Sequence, residues 1–283
     1  MILIMDKIDL HTHTLHSDGI LTPRELIALA ARKGLGALAL TDHDTLAGLE
    51  EAQIAAEAYH IEFIPGIEIS ALYSGRELHL LGLFIDWQKR ALIDAVDRWQ
   101  AMRRERNIKL LARLNTIGVN ISMEQIESLA SKGTAITRSH FARALVTAGY
   151  CATPQKAFAK YLLPGTPTYV ERHEVSPAEA ISTIKSAGGL AILAHPLRYG
   201  LDMRKMEQVI KSLQYDRLSG IECYYSSHNP YEQAQLIQMA KKYRLCISGG
   251  SDFHGGHDGV ELGKGHGSLH VPMFVYNELK KNL

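Results

Sequence analysis

The stretch Asp9-Leu10-His11-Thr12-His13-Thr14-Leu15-His16-Ser17-Asp18-Gly19 puts three histidines and two aspartates into eleven residues. It follows directly on Asp6–Leu10, a short apolar run that reads as a strand. Imidazole and carboxylate are the donors that suit Mn, Fe and Zn. A single loop of this kind needs matching donors elsewhere in the chain, because His-rich segments also occur as solvated tails.

Working outward, the donors recur at strand ends. Ala37–Leu40 reads as a buried strand and runs into Asp42-His43-Asp44. Glu62–Ser70 is a strand with Glu68 near its end, and Glu77–Ile85 is another that carries His79. Leu190–Ala194 leads to His195-Pro196, Gly220–Tyr224 forms a further strand, and Leu245–Gly249 leads to Asp252 and His254. Helices fall between these strands. Thr22-Pro23-Arg24-Glu25 is a capping box with Pro at the first helical position, opening a helix that stops at Gly34. Leu46–Tyr59 and about 202–213 have helical spacing, Ser176-Pro177-Ala178-Glu179 reads as a second capping box, and Asn229-Pro230-Tyr231-Glu232 starts a helix in the same way. Alternating strand and helix predicts a parallel sheet, open or closed into a barrel. The carboxyl ends of such strands share one face, where active sites form. His11, His13, His43, Glu68, His79, His195, Asp252 and His254 are thereby expected to converge as a polynuclear metal site.

The remaining composition narrows the class. The chain has 283 residues, 46% of them hydrophobic, which suits one large domain or two modest ones. Its three cysteines, Cys151, Cys223 and Cys246, form no CxxC pair, which argues against a disulfide framework and a thiolate zinc site. No apolar run is long enough to span a membrane, and Met1–Met5 is too short for a signal-peptide core, so a cytoplasmic protein is expected.

From Lys89 to Tyr161 the alternation stops, and four helical stretches follow one another. Residues 87–165 hold 13 Lys and Arg against 5 Asp and Glu, net +8, whereas the whole chain is +1. The division expected is a barrel made of residues 1–86 and 166–283 and a helical insertion at 87–165. A basic insertion beside an acidic, metal-rich barrel points to a polyanion held by one and processed by the other.

The motifs "DLHTHTLHSDG", "TDHDT", "GIEIS", "ELHLLG", "AHP" and "SGGSDFHG", in this order along the whole chain, resemble those of the polymerase and histidinol phosphatase (PHP) superfamily. Within it, the helical insertion, "TRSHFARALV" and "YYSSH" look most like the nucleoside 3′,5′-bisphosphate phosphatases and the related 5′→3′ exoribonucleases. The resemblance implies an α/β fold, a distorted (β/α)7 barrel with an inserted helical domain. It implies three divalent ions, with Mn2+ or Fe2+ suiting the donor mixture best and Zn2+ as the alternative. His11, His13, Glu68 and Asp252 would hold the first ion. Glu68 would bridge to the second, with His79 and His195. Asp18, His43 and His254 would hold the third. His16 is the alternative to Asp18, which the "SDG" turn favours. Asp42 and Asp44 are expected to orient His43 or cap the next helix.

The activity implied is hydrolysis of a phosphate ester by a metal-activated hydroxide. Three divalent ions bring +6 against −3 from Asp18, Glu68 and Asp252, so the site can accept a phosphate dianion. No G-x-S-x-G elbow or P-loop is present. The substrates implied are a nucleoside 3′,5′-bisphosphate, losing its 3′-phosphate, and short 5′-phosphorylated RNA cut 5′→3′. For substrate contacts the expected residues are Arg103, Arg104, Arg106 and Asn107 on a second phosphate, Arg138 and His140 on phosphate or ribose, and Tyr225 and His228 in a base pocket. His140 is also the candidate proton donor to the leaving group; the plainer reading is that Ser139 caps a helix and His140 faces solvent. The alternatives are a histidinol-phosphate phosphatase, for which a +8 insertion has no purpose, and a non-catalytic nucleic-acid-binding or accessory module. His173, His257, His266 and His270 belong to no motif and read as surface or loop residues.

Overall fold

The computed structural model describes residues 6–130, 136–170, 175–256 and 259–283; His173 and His257 lie outside them. Eight strands form one sheet: β1 (Lys7–Asp9), β2 (Ala37–Leu40), β3 (Glu62–Tyr73), β4 (Arg76–Leu83), β5 (Leu190–Leu193), β6 (Gly220–Tyr225), β7 (Cys246–Gly250) and β8 (Val271–Pro272). Their order is β7-β6-β5-β4-β3-β2-β1-β8. The sheet curls until its far edge meets β1, where the Leu10 N–H donates to the Gly249 carbonyl at 3.2 Å. Past the strand ends the seam continues, from the Asp252 N–H to the His11 carbonyl and from the His13 N–H to the Phe253 carbonyl, both 2.9 Å. Such an approach requires glycine in β7: a Cβ on Gly250 would lie 2.4 Å from the His11 Cβ. The result is a nearly closed, barrel-shaped sheet with helices around it.

The sheet is mixed, not all parallel as the alternation predicts. β4 runs antiparallel to both β3 and β5. The cause is local: Ser74 (φ 49°) and Gly75 (φ 75°) make a two-residue turn, so β3 and β4 form a hairpin with no crossover helix. The reversal suits the site. His79 stands opposite Ser70 near the start of β4, at the end of the barrel to which the parallel strands point their carboxyl ends.

Helices α1 (Pro23–Arg32), α2 (Leu49–Tyr59), α7 (Pro177–Ser186), α8 (Met203–Tyr215) and α9 (Pro230–Tyr243) follow strands, and α10 (Met273–Lys280) follows β8. Thr22 and Asn229 close full capping boxes. Ser176 caps α7, but the reciprocal half of the expected box is missing. The Glu179 carboxylate accepts instead from Trp99 Nε1 at 3.1 Å, a buried indole that needs an acceptor. Buried Leu, Ile and Ala residues of the strands and of α1, α2 and α7 fill both faces of the sheet. Each Leu or Ile taken fully out of water there contributes about 1.5–3 kcal/mol.

The stretch between β4 and β5 contains α3 (Arg90–Thr116), α4 (Met123–Glu127), α5 (Arg138–Thr147) and α6 (Pro154–Ala157), the last running into one π-turn. α3 is shared between two cores. Leu92, Ala95, Val96 and Trp99 pack into the barrel cluster, while Leu110 and Leu114 pack with Phe141, Leu145 and Leu162 in a separate cluster. Arg103, Arg106 and Asn107 lie on the same buried stripe, between its two apolar halves. Polar side chains at core positions of a helix mark the place where α3 passes the end of the barrel. Among the described residues, no helix is long and apolar enough to cross a membrane.

Candidate metal centre

Three groups of donors lie at that end of the barrel. Within each, the ligating atoms are within 4.8 Å of one another: His11, His13, Glu68 and Asp252; His13, Asp18, His43 and His254; and His43, Glu68 and His79. His195 joins the last group, its Nε2 3.0 Å from Glu68 Oε1. All nine residues singled out from the sequence are therefore brought together. His16 is in none of these groups; its ring lies against Gly48.

Glu68 is the hub. Its Oε2 faces His11 Nε2 at 3.4 Å, His13 Nε2 at 3.3 Å and His43 Nδ1 at 3.0 Å. Its Oε1 faces His79 Nδ1 at 2.8 Å and His195 Nε2 at 3.0 Å. Asp252 Oδ1 faces His11 and His13 at 3.3 and 3.1 Å, and Asp18 Oδ1 faces His254 Nε2 at 3.1 Å. His43 turns one nitrogen to Glu68 and the other toward Asp18.

These residues fit divalent ions by an observation independent of their identity. His11 Nε2, His13 Nε2, His43 Nδ1, Asp18 Oδ1 and Glu68 Oε2 are buried and have no hydrogen bond of good geometry. Buried polar atoms are ordinarily paired. Here they converge on shared points, as a cation's donors must. Burial opposes ionisation of Glu68, yet the histidines around it, His43 foremost, hold its carboxyl well below the ordinary range. Asp18 and Asp252 are held down likewise, chiefly by His254 and His11 against the same burial. All three are anions ready for a cation.

Outer contacts fix the donors. Glu222, fully buried, takes His11 Nδ1 at 3.0 Å and the His195 backbone N–H at 2.6 Å. Asp42 accepts from the Thr14 N–H, the Thr14 hydroxyl and the Ser17 hydroxyl, so it pins the first loop and does not orient His43. Asp9 ties β1 to the last loop through Ser251 and Gly263. Tyr225 donates to Asp252 Oδ2 at 2.8 Å, and Arg198 donates to both the Tyr225 hydroxyl and Asp252. Asp44 (φ 50°), His195 (φ 25°) and Asp252 (φ 58°) hold left-handed backbone that non-glycine residues avoid. Such strain on candidate ligands and their neighbours recurs at functional sites whose surroundings over-determine it.

Glu222, Glu77 and Arg198 were not singled out from the sequence. A lone acid in an apolar strand, "GIECYY", and an acid two residues from His79 on the same strand face were the available signals.

The residues expected to contact substrate separate. Arg103 is buried and its guanidinium is ion-paired with Asp44. Arg106 and Asn107 are buried as well, with Asn107 Nδ2 donating to the Ile136 carbonyl at 3.0 Å, and Arg104 is exposed. Arg138 donates to Glu77 at 2.7 Å. Tyr225 is turned to Asp252, and His228 is buried beside the Tyr225 ring, centroids 5.1 Å apart, with Nδ1 donating to the Cys223 carbonyl. His266 and His270 are exposed.

Thr137, not Ser139, caps α5, and His140 completes the box by accepting the Thr137 N–H at Nδ1. His140 is buried and does not face solvent. Burial, opposed by Asp18 and reinforced by Arg143 and Arg103, holds it at about 4, below the ordinary 6.5. The imidazole is neutral at pH 7, with its proton on Nε2. The linkage has a definite sign. A histidine kept neutral by folding contributes stability above pH 6.5 that is lost as pH falls toward 4. Melting temperatures of wild type and His140→Gln across that window should show a shallower fall for the variant; parallel curves would exclude a buried neutral His140.

Comparison with known proteins agrees with this geometry. Residues 9–153 match the PHP domain family. A 5′-3′ exoribonuclease of Haemophilus influenzae is 36% identical over 91% of this chain and 93% of its own length. A 3′,5′-nucleoside bisphosphate phosphatase of Chromobacterium violaceum is 37% identical over 92% and 91%. A solved Chromobacterium violaceum structure, described as an amidohydrolase with bound sulfate and no metal, superposes with a TM-score of 0.88 at 34% identity, covering 97% of this chain and 96% of the other. The converging donors, the barrel that carries them and these relatives place the chain in the PHP domain family, as a metal-dependent phosphoesterase.

Proposed function

We propose that this enzyme removes the 3′-phosphate from nucleoside 3′,5′-bisphosphates and trims short 5′-phosphorylated RNA from its 5′ end. The observation that carries this reading is the meeting of the donor cluster with the basic insertion. Arg103 reaches Asp44 beside His43, Thr137 Oγ1 lies 3.4 Å from Asp18, and Arg138 reaches Glu77 beside His79. Both reactions cleave at the 3′-oxygen of a nucleotide that bears a 5′-phosphate, so one pocket serves both. The names of the Haemophilus and Chromobacterium relatives support this pair of substrates.

Three ions, Mn2+ by preference, would be held by His11, His13, Glu68 and Asp252; by Glu68, His79 and His195; and by Asp18, His43 and His254. When bound, they would supply hydroxide near neutral pH and offset the charge of the phosphoryl group. The chain's own part is to hold and orient. Glu222 and Tyr225 fix His11 and Asp252. His140, neutral, donates from Nε2 to a phosphate or ribose oxygen, a role that suits its low pKa better than proton transfer. Arg138 and Arg198 have guanidinium hydrogens without a partner among the described residues and stand beside the cluster, where a second phosphate would be held.

The test is a time course with Mn2+-loaded protein on adenosine 3′,5′-bisphosphate, histidinol phosphate, and RNA oligonucleotides with 5′-phosphate or 5′-hydroxyl ends, with His11→Ala as control. Release of AMP, and of mononucleotides from 5′-phosphorylated RNA at least about tenfold faster than from the 5′-hydroxyl form, is expected; that preference is worth about 1.4 kcal/mol of barrier. Turnover of histidinol phosphate alone would overturn the reading.

A further inference from the structure

His79, like His11, has each ring nitrogen against a different carboxylate. Nδ1 is 2.8 Å from Glu68 Oε1 and Nε2 is 3.0 Å from Glu77 Oε1. A histidine ligates through a nitrogen lone pair, and its other N–H needs an acceptor that fixes the ring. Glu77 supplies that acceptor. The hairpin puts it there: Glu77 and His79 are two residues apart in β4 and share a face. The other carboxylate oxygen of Glu77 accepts from Arg138 Nη2 at 2.7 Å, and Arg138 is the first residue of α5. The Tyr199 hydroxyl accepts the His79 backbone N–H at 2.8 Å and completes the frame. A continuous polar chain thus runs from Glu68 through His79 and Glu77 to the insertion. All three outer side chains are only about a quarter exposed or less, so water does not screen the contacts fully.

The geometry points to Glu77 as a positioning residue. It sets the affinity of the ion at Glu68, His79 and His195, and Arg138, by holding Glu77, makes that affinity depend on the seating of α5. This inference rests on the reading of His79 as a ligand.

Metal-free protein titrated with Mn2+, with free Mn2+ followed by EPR, tests it in wild type, Glu77→Gln, Glu77→Ala and Arg138→Ala. In Glu77→Ala the Kd of one bound ion should rise about 10–100-fold while those of the others stay put. Glu77→Gln, whose amide oxygen still accepts from Nε2, should show a smaller rise, and Arg138→Ala a rise of several-fold. Excess Mn2+ should restore kcat in Glu77→Ala, which a merely structural defect would not allow; melting curves verify the fold. Ion Kd values all within twofold of wild type in Glu77→Ala overturn the proposal and leave the metal reading intact. Failure of wild type to bind Mn2+ overturns both.

Discussion

Glu68→Gln is expected to lower kcat/KM by at least about a thousandfold, about 4 kcal/mol of barrier. The substitution keeps the size of the side chain and removes its charge. That charge is the point on which five imidazoles, His11, His13, His43, His79 and His195, converge. An amide turns one of its two positions into an N–H donor, which repels a cation, so at most one position could still offer an oxygen to an ion. Metal analysis should show loss of more than one ion per chain, since Glu68 belongs to two of the donor groups. Steady-state kinetics with saturating Mn2+ and a metal count on the same preparation check it. A variant within tenfold of wild type would mean that Glu68 is a buried structural acid and not the hub of the site.

Arg103→Met is expected to destabilise the fold by about 3–5 kcal/mol, the usual cost of removing one partner of a buried ion pair. Asp44 is 1% exposed and Arg103 6%. Without the guanidinium, the Asp44 carboxylate retains the Ser70 N–H at 3.0 Å but loses the countercharge of Arg103. Asp44 also sits on left-handed backbone, and its own N–H donates to the Glu68 carbonyl at 2.9 Å, so the defect reaches the metal centre. Urea unfolding of the single variant and of Asp44→Asn/Arg103→Met gives the check. The double variant should recover most of the loss, because replacing a buried pair by uncharged groups is often nearly neutral. A single variant within about 1 kcal/mol of wild type would return Arg103 to the substrate-binding role read from the sequence.

The metal donors were legible in the sequence because their signal is local. "HTH", "TDHD" and "SDFH" each follow a short strand, and the carboxyl ends of parallel strands share one face. The reversal of β4 was written in "YSGR", whose Ser-Gly pair suits a tight hairpin, but the alternation around it argued for parallel strands. The outer carboxylates were harder. Glu222 in "GIECYY" and Glu77 in "RELHL" acquire their roles from strand pairing and side-chain direction, which residue type does not specify. The arginines of α3 were ambiguous for a related reason. A run such as Arg103-Arg104-Glu105-Arg106 reads as a solvated or phosphate-binding face until the packing of Trp99 and Leu110 decides which side of the helix turns inward. Tyr225, read as part of a base pocket, was captured by Asp252 because a buried phenol needs a hydrogen-bond partner.

The seam between the first and last strands has a consequence for how the enzyme is made. Asp9 closes the barrel through Ser251 and Gly263, contacts that span 242 and 254 positions of the chain. On a ribosome adding about 5–20 residues per second, His11 and His13 therefore wait roughly 10–50 s for Asp252 and His254 to be synthesised. Until then two of the three donor groups, the one with Asp252 and the one with His254, are incomplete. A full set of ions can therefore be held only after the barrel closes, when the last loop brings Asp252 and His254 to donors that left the ribosome long before.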